Sequence, residues 1–456
     1  MNKPITLKEI INSHLKKNNL PMSNIAKKAQ INRGIVSKNL NQDHNNLLSI
    51  DQLDLITEAL GYQKGSFYDA YIVDFKNFKF DWRRTKAALT RFAEDDRIDL
   101  MNRITDTFNP KPALVKQVAD FANELYDLKL IAGAEAMYNT VLKIETKTGS
   151  RKIAMSFYRL FKIHQHDKDN NHIYAAQFKP YIKKLELHYQ LDALISLAHV
   201  YAVREEWQEV KPVALELRDL SLNLYKSKAW LKDNFSPLRP LAYYWGQSFL
   251  ILGAMYEESA KYDKALECID QYKDLSWMEG LDPAGHIEVK KLSKWAKDNQ
   301  LLIEIKTGNQ NAIPEYVRNL NNIEEAAKKR HIIDGLTTLI EAARKYKYSI
   351  DEILEHFNLY MVNDLTIDQE LNQKKSIDPF RRRNEAKFAY QYSLYLLDRN
   401  RYNEGVEQCF RCMAINVSLD NQKGIIDAFI IFETYREYVS DQQYAEFSKM
   451  IKYIKG

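Results

Sequence analysis

Residues 22–40 of the chain read MSNIAKKAQINRGIVSKNL, a pattern that predicts two short helices joined by a tight turn. In the first half, Ile25, Ala26 and Ala29 fall on one face at helical spacing. Asn32 is a good N-cap for the second helix, because its side chain can accept a hydrogen bond from a free amide of the first turn. The small side chain of Ala26 predicts that the two helices cross closely.

Helices are also predicted on both sides of this pair. Thr6 and Ser49 stand where N-caps are expected, and Gly61 follows the last apolar position as a C′ residue. The apolar faces of the two flanking helices consist of Leu7, Ile10, Ile11, Leu15, Leu53, Ile56 and Leu60. Residues 1–67 are therefore predicted to form a small helical domain.

Positive charge is concentrated at the start of the chain. Residues 1–42 contain eight lysines and arginines against a single acid, Glu9, which gives a net charge of +7. Since the whole chain carries +5, the other 414 residues together carry −2. A basic domain on a nearly neutral body predicts binding to a polyanion, and a solvated charged surface is the alternative.

The second helix of the pair carries side chains that suit a DNA major groove. Arg33 and Lys38 are cationic, and Gly34 and Ser37 are small enough to permit close approach. With the first helix and the turn included, the predicted DNA contacts are Ser23, Asn24, Lys27, Asn32, Arg33, Gly34, Ser37 and Lys38.

This segment resembles the Xre, or lambda-repressor-like, helix-turn-helix family. The resemblance is carried by Ile25-Ala26, Ile31-Asn32 and Val36-Ser37-Lys38. Two positions depart from the family, since Met22 stands in place of a Gln that usually touches DNA and Gln30 replaces the usual Gly of the turn. The resemblance implies binding to double-stranded operator DNA.

Composition predicts an all-α fold for the whole chain. Its 456 residues are 45% hydrophobic and 28% charged, which is typical of a folded globular protein. Only 14 glycines and 11 prolines occur, too few for the frequent turns of a sheet protein. The 28 tyrosines and 19 phenylalanines provide large side chains for contacts between helices.

The body of the chain repeats a helix-pair pattern. One segment matches tetratricopeptide spacing at Phe249, Leu252, Gly253, Tyr256, Ala265 and Ile269. Gly253 and Ala265 are the small residues at which two antiparallel helices are expected to pack. Weaker copies occur elsewhere, so residues 68–424 are predicted to form one tetratricopeptide-like α-solenoid. Residues 425–456 are predicted to be a helix pair that either caps the solenoid or forms a dimer surface.

Few residues suggest catalysis or metal binding. Cys409 and Cys412 form a lone CxxC on a predicted helix face, and His164, His166 and His172 lie in or near a polar loop. A metal or redox site needs further ligands at suitable spacing, and the sequence does not supply them. Motifs of phosphate loops, zinc proteases and serine hydrolases are absent from the sequence. We therefore expect no enzyme activity, no catalytic residue, no cofactor and no metal.

The sequence also predicts a cytoplasmic protein that does not enter the membrane. It begins without a signal-peptide pattern, and its longest uncharged stretch, residues 241–256, is shorter than a membrane-spanning helix. The three cysteines are too few for a disulfide framework, which favours a reducing compartment.

The combination of basic head and helical body resembles the peptide-sensing regulators of Gram-positive bacteria and their phages, the Rap, PlcR, PrgX and NprR group, and within it most of all the phage arbitrium receptors. Besides the head, the resemblance is carried by residues 67–71, 86–92 and 297–302. It implies a homodimeric transcription regulator that binds operator DNA. A short signalling peptide in the solenoid groove would switch it, as in quorum sensing or phage lysis-lysogeny control.

The predicted peptide contacts are His199, Gln247, Glu258, Lys290, Asn299 and Tyr390. Most are inward positions of first helices in the repeat, whereas Asn299 comes from the resemblance and Lys290 is a candidate partner for a peptide carboxylate. One alternative is a DNA-binding adaptor whose repeats hold a partner protein. Another is a helical-domain enzyme such as a phosphatase of the Rap type, against which the basic head argues.

Overall fold

The structure, a computed structural model, describes residues 6–40, 47–76, 78–147, 149–167, 169–229, 235–361, 366–371 and 379–455. Within these ranges all regular secondary structure is helical, which confirms the prediction of an all-α chain. The chain divides into two compact units, Met1–Val200 and Tyr201–Gly456.

Twelve helices begin in the first unit, as counted over the described part of the chain. They are α1 Leu7–Lys17, α2 Met22–Lys28, α3 Arg33–Leu40, α4 Ile50–Ala59, α5 Tyr68–Lys76, α6 Trp82–Glu94, α7 Ile98–Thr105, α8 Pro112–Asp127, α9 Ile131–Ile144, α10 Arg151–His164, α11 Asn171–Phe178 and α12 Leu187–Val203. A short 3-10 helix, Lys179–Lys184, follows α11.

The second unit continues with thirteen more helices in its described residues. They are α13 Trp207–Lys226, α14 Leu241–Glu258, α15 Tyr262–Asp270, α16 Pro283–Lys306, α17 Ile313–Asn321, α18 Glu325–Tyr346, α19 Asp351–His356, α20 Asn358–Met361, α21 Ile367–Leu371, α22 Pro379–Leu397, α23 Tyr402–Ser418, α24 Gln422–Thr434 and α25 Asp441–Lys455. Most contacts join helices that are neighbours in sequence, such as α8 with α9, α14 with α15 and α22 with α23.

The predicted ends of α1 and α4 are confirmed. Thr6 forms a capping box with Glu9, and Ser49 forms one with Gln52, so each pair satisfies amides at the start of its helix. Gly61 has a φ of +84° just past the end of α4, a left-handed conformation that glycine adopts without strain.

The turn between α2 and α3 also has the predicted form. Ile25, Ala26 and Val36 are buried where α2 packs on α3. The backbone amide of Gly34 donates to Asn32 Oδ1 over 2.8 Å, so Asn32 caps α3. Gln30 has a φ of +56°, which explains why a glycine is the usual residue at this place in related turns.

A buried carboxylate joins α4 to the helices that follow it. Asp54 Oδ1 accepts a hydrogen bond of 2.8 Å from the Tyr68 hydroxyl, and its Oδ2 accepts one of 2.7 Å from Arg91 Nη1. Burial raises the pKa of the Asp54 carboxyl, while Tyr68 and Arg91 act in the opposite direction. Three elements, α4, α5 and α6, are thereby held together by one side chain.

Backbone groups before α4 are held by the same two helices. The Tyr71 hydroxyl on α5 donates to the Leu48 carbonyl over 3.0 Å, and Arg84 Nη1 on α6 donates to the Leu47 carbonyl over 3.2 Å. One continuous apolar core extends from Leu7 to Leu160. The first four helices therefore pack into the first unit on a shared core.

Small residues let helix pairs of the second unit approach closely. A Cβ at Gly405 on α23 would lie 2.6 Å from Leu397 Cγ on α22, and Ser393 Oγ already donates to the Gly405 carbonyl. At Gly253 a Cβ would meet Cys268 at an ordinary 3.6 Å. The tightest approach of α14 is at Gly246, where a Cβ would overlap Leu292 of α16.

We predict that Asp54→Asn lowers the free energy of unfolding of the first unit by about 2–3 kcal/mol, because it leaves the half-buried Arg91 guanidinium without its best acceptor. Urea unfolding followed by circular dichroism measures this free energy.

Asp51→Asn is the matched control, since Asp51 lies on the same helix and also pairs with Arg91, but its side chain is 71% exposed. A change of no more than about 0.5 kcal/mol is expected there. Equal effects of the two variants would contradict the assignment.

Candidate nucleic-acid and ligand sites

The start of α3 and the outer face of α2 form an exposed polar surface. Arg33 and Gly34 are exposed in the first turn of α3, with no acid beside them in that turn. Asn24 and Lys27 are exposed on α2. An exposed guanidinium on the first turn of a helix can reach guanine O6 and N7 when that helix enters a major groove.

The other predicted DNA contacts are less exposed or already make contacts within the protein. Ser23 and Ser37 are half-buried, and the side chain of Asn32 is exposed but engaged as the cap of α3. Met22 packs partly buried against the core, so its side chain is not part of the exposed surface. The side chain of Lys38 lies outside the described part of the chain.

The six predicted peptide contacts are divided between the two units. His199 belongs to the first unit, whereas the other five lie on α14, α16 and α22 in the second. Among these five, in the part of the chain that the structure describes, no hydrogen bond or ion pair joins any two. Each must therefore be judged by its own surroundings.

The five residues of the second unit differ in exposure. Gln247 is buried within α14, and Asn299 donates a 3.0 Å hydrogen bond to the Tyr272 hydroxyl, so both side chains make contacts inside the protein. Glu258 and Lys290 are exposed, and Tyr390 is half-buried. Burial of Gln247 follows from its place on a helix that is apolar on nearly every side.

His199 lies on a polar face of α12 that also contacts α10. Tyr189, Asp192, Ser196 and His199 recur at spacings of three and four residues, which places them on one side of the helix. Lys162 on α10 donates to Ser196 Oγ over 3.0 Å and to Gln165 Oε1 over 2.8 Å.

Electrostatics on this face favour neutral imidazole. His199 is exposed at the surface, but the protein around it removes part of its solvation and the nearby Lys162 ammonium repels a second cation, so both lower the pKa of the ring. Burial also lowers the pKa of Lys162, assisted by Arg159 and opposed by Asp192.

Arg159 lies one turn before Lys162 on the same helix. Its guanidinium carbon is 4.3 Å from the ring centroid of Tyr126 and 5.7 Å from that of Tyr189. Its Nε is buried and has no hydrogen-bond partner among the described residues. We call Arg159, Lys162, Tyr126, Tyr189 and Ser196 the α10 cation cluster.

Sequence reasoning found His199 but missed the cluster beside it. Arg159 and Lys162 are spaced three residues apart within residues 153–163, a stretch that is otherwise mostly apolar, and this spacing is the hint that the sequence gives. Their contacts with α12 depend on how α10 packs against it, and no local sequence pattern predicts that packing.

The histidine-rich loop is explained by its local contacts. His164 Nε2 lies 2.9 Å from Glu135 Oε1, and the ring stacks on Tyr174 with a centroid distance of 4.0 Å. His166 pairs with the Gln165 amide, and Asp167 accepts a 2.9 Å bond from Asn170. Among the described residues, no group of three or more His, Cys, Asp or Glu side chains is arranged to hold a metal ion.

Comparison with known proteins adds no relative. No model of a known protein family matches this chain, and no curated protein matches its sequence. In the described ranges, no helix combines the length and the apolar composition that crossing a bilayer requires.

The cysteines are predicted to resist alkylation in the folded protein. All three are free and buried, and burial raises the pKa of Cys268 to about 11 and that of Cys412 to about 12. It raises that of Cys409 as well. Labelling with iodoacetamide at neutral pH should be slower than about a hundredth of the rate of a free thiol. All three should label in urea, as measured by mass spectrometry. Rapid labelling of Cys409 or Cys412 in the native protein would restore a redox role for the CxxC.

Proposed function

We propose that the chain is a cytoplasmic transcription regulator that binds operator DNA as a homodimer and is switched by a short signalling peptide held by its helical body. In this proposal α2 and α3 are a helix-turn-helix unit of the Xre type. The helix pairs that follow are a tetratricopeptide-like solenoid of the kind used in quorum sensing and phage lysis-lysogeny control.

The observation that carries the proposal is the exposed first turn of α3 with Arg33 at its start. Its partner helix is buried through Ala26, so the two helices offer a rigid base for groove contacts. The +7 charge of residues 1–42 supports the same partner, because phosphate contacts supply most of the affinity for a duplex.

An apolar face on α24 supports the homodimer. Ile426 and Ile430 are 58% and 56% exposed, and Phe429 between them is 40% exposed. The opposite side of α24 is packed, with Phe432 buried against Phe447 of α25. Two copies of one chain that present the same apolar helix face can pair with two-fold symmetry, which suits an operator with two half-sites.

The peptide is supported by the polar face of α12. Donors and acceptors such as Ser196 and His199 are the side chains that can bond to a peptide backbone. A ligand there can change DNA affinity only if it binds one arrangement of the dimer more tightly than the other.

We predict that Arg33→Ala weakens binding to the preferred duplex by about 1–3 kcal/mol and relaxes the base preference, because it removes a base contact. The full-length protein is first used to select sites from a random duplex library, and affinity is then measured by fluorescence anisotropy at fixed salt.

Lys28→Ala is the control for this variant, since it removes the same charge from α2. Lys28 is exposed beside Leu55 and Glu58 of α4, away from the first turn of α3. Its loss should weaken all duplexes slightly and equally. If wild-type protein selects no duplex, or if Arg33→Ala leaves the selected site unchanged, the groove assignment is wrong.

We also predict that Ile430→Lys converts the dimer to a monomer of 53.5 kDa in light scattering after size exclusion. A buried lysine pair at a two-fold contact is unfavourable by several kcal/mol, which is enough to separate a modest interface. Ile287→Lys, at a 66% exposed isoleucine on α16, is the control and should remain dimeric. A wild-type protein that is already monomeric would contradict the homodimer.

A further inference from the structure

The α10 cation cluster places two positive charges side by side with no direct ion pair to a carboxylate of the described residues. Arg159 and Lys162 lie one turn apart on α10, and both are half-buried. Among the described residues, no carboxylate lies within ion-pair distance of either one. Like charges that lose solvation together are unfavourable unless something else compensates them.

The hydrogen-bond capacity of the two cations is also incompletely used. Arg159 Nε is buried without a partner, and Lys162 donates only to the neutral oxygens of Ser196 and Gln165. Lys162 and Ser196 can each still donate to a ligand, because the ammonium has a third N–H and the Ser196 hydroxyl only accepts from Lys162. A carboxylate that reached this face would receive charge-assisted hydrogen bonds, which are stronger than neutral ones.

The charge of the face matches a monoanion. Asp192 is half-buried on α12 and acts electrostatically on Lys162, so the two cations and one acid sum to a single positive charge. The lowered pKa of His199 keeps that ring from adding another. A single carboxylate neutralises this charge, whereas a phosphate dianion would leave the face with a net negative charge.

The rings around Arg159 define the rest of the site. Tyr126 and Tyr189 hold the guanidinium between α8 and α12, which fixes its direction and leaves little rotamer freedom to lose on binding. These rings also offer an aromatic surface to a side chain next to the carboxylate.

We propose that the α10 cation cluster binds a carboxylate of the peptide ligand, with Arg159 and Lys162 as its donors. This inference rests on the proposed function, since the peptide is the ligand assigned there. It moves the carboxylate contact from Lys290, which the sequence favoured, to α10. The carboxylate is either the C-terminus of the peptide or an acidic side chain.

The test is affinity selection of random hexapeptides by the full-length protein, with one library carrying a free C-terminus and another an amidated one. Captured peptides are identified by mass spectrometry, and the best is titrated calorimetrically against each variant. Loss of capture on amidation assigns the C-terminal carboxylate. Capture of amidated peptides enriched in Asp or Glu assigns a side chain. Capture of amidated peptides without acidic residues overturns the inference.

Arg159→Gln and Lys162→Gln should each weaken the best peptide about tenfold or more. Arg151→Gln is the matched control, because Arg151 begins the same helix with its side chain 81% exposed, and it should leave affinity unchanged. Asp192→Asn should tighten binding severalfold, a gain that a damaged fold cannot produce. Unchanged affinity in both Arg159→Gln and Lys162→Gln overturns the inference while the proposed function stands. Failure of wild-type protein to capture any peptide contradicts both.

Discussion

The hydrogen bonds of Asp54 are the constraint on which the first unit depends. A single carboxylate accepts from Tyr68 on α5 and from Arg91 on α6, and it is itself part of α4. If Asp54 is lost, the buried Tyr68 hydroxyl has one further acceptor among the described residues, Asp95 Oδ2 at 3.2 Å. The basic head is therefore docked on the helices behind it and does not hang on a free linker. In the proposed function, regulation of DNA binding would therefore act on the whole unit, because the first four helices share its core.

Much of the head could be predicted because its structure is set by local chemistry. A capping box joins residues three positions apart, so the roles of Thr6 and Ser49 can be predicted from neighbouring residues. The buried face of α2 can be predicted in the same way, because apolar residues repeat within one helix. The turn at Gln30 shows the limit of this reasoning. Its left-handed backbone was expected of a glycine, yet the neighbouring packing holds a non-glycine residue there at a modest cost.

The α10 cation cluster was harder to predict because it depends on contacts between helices far apart in sequence. Arg159 meets Tyr126 across 33 positions of chain and Lys162 meets Ser196 across 34, and neither pair leaves a local pattern. Gln247 was predicted from a repeat pattern instead. Its repeat position indicated a groove, but the helix that carries it is apolar on nearly all sides and buries the amide. Repeat register gives the order of helices more reliably than the direction of one side chain.

The head and the α10 cation cluster belong to the same unit, and this bears on how a peptide could act. The apolar core that contains α1 and α4 continues to α9 and reaches Leu160 on α10, next to Arg159. Interiors packed this way resist continuous deformation, so a carboxylate bound as proposed would change the unit between discrete arrangements. The linkage is reciprocal: if the peptide weakens DNA binding, operator DNA weakens peptide binding by the same factor. If both proposals hold, a peptide site in the same unit as α2 and α3 needs no separate relay to couple the two ligands.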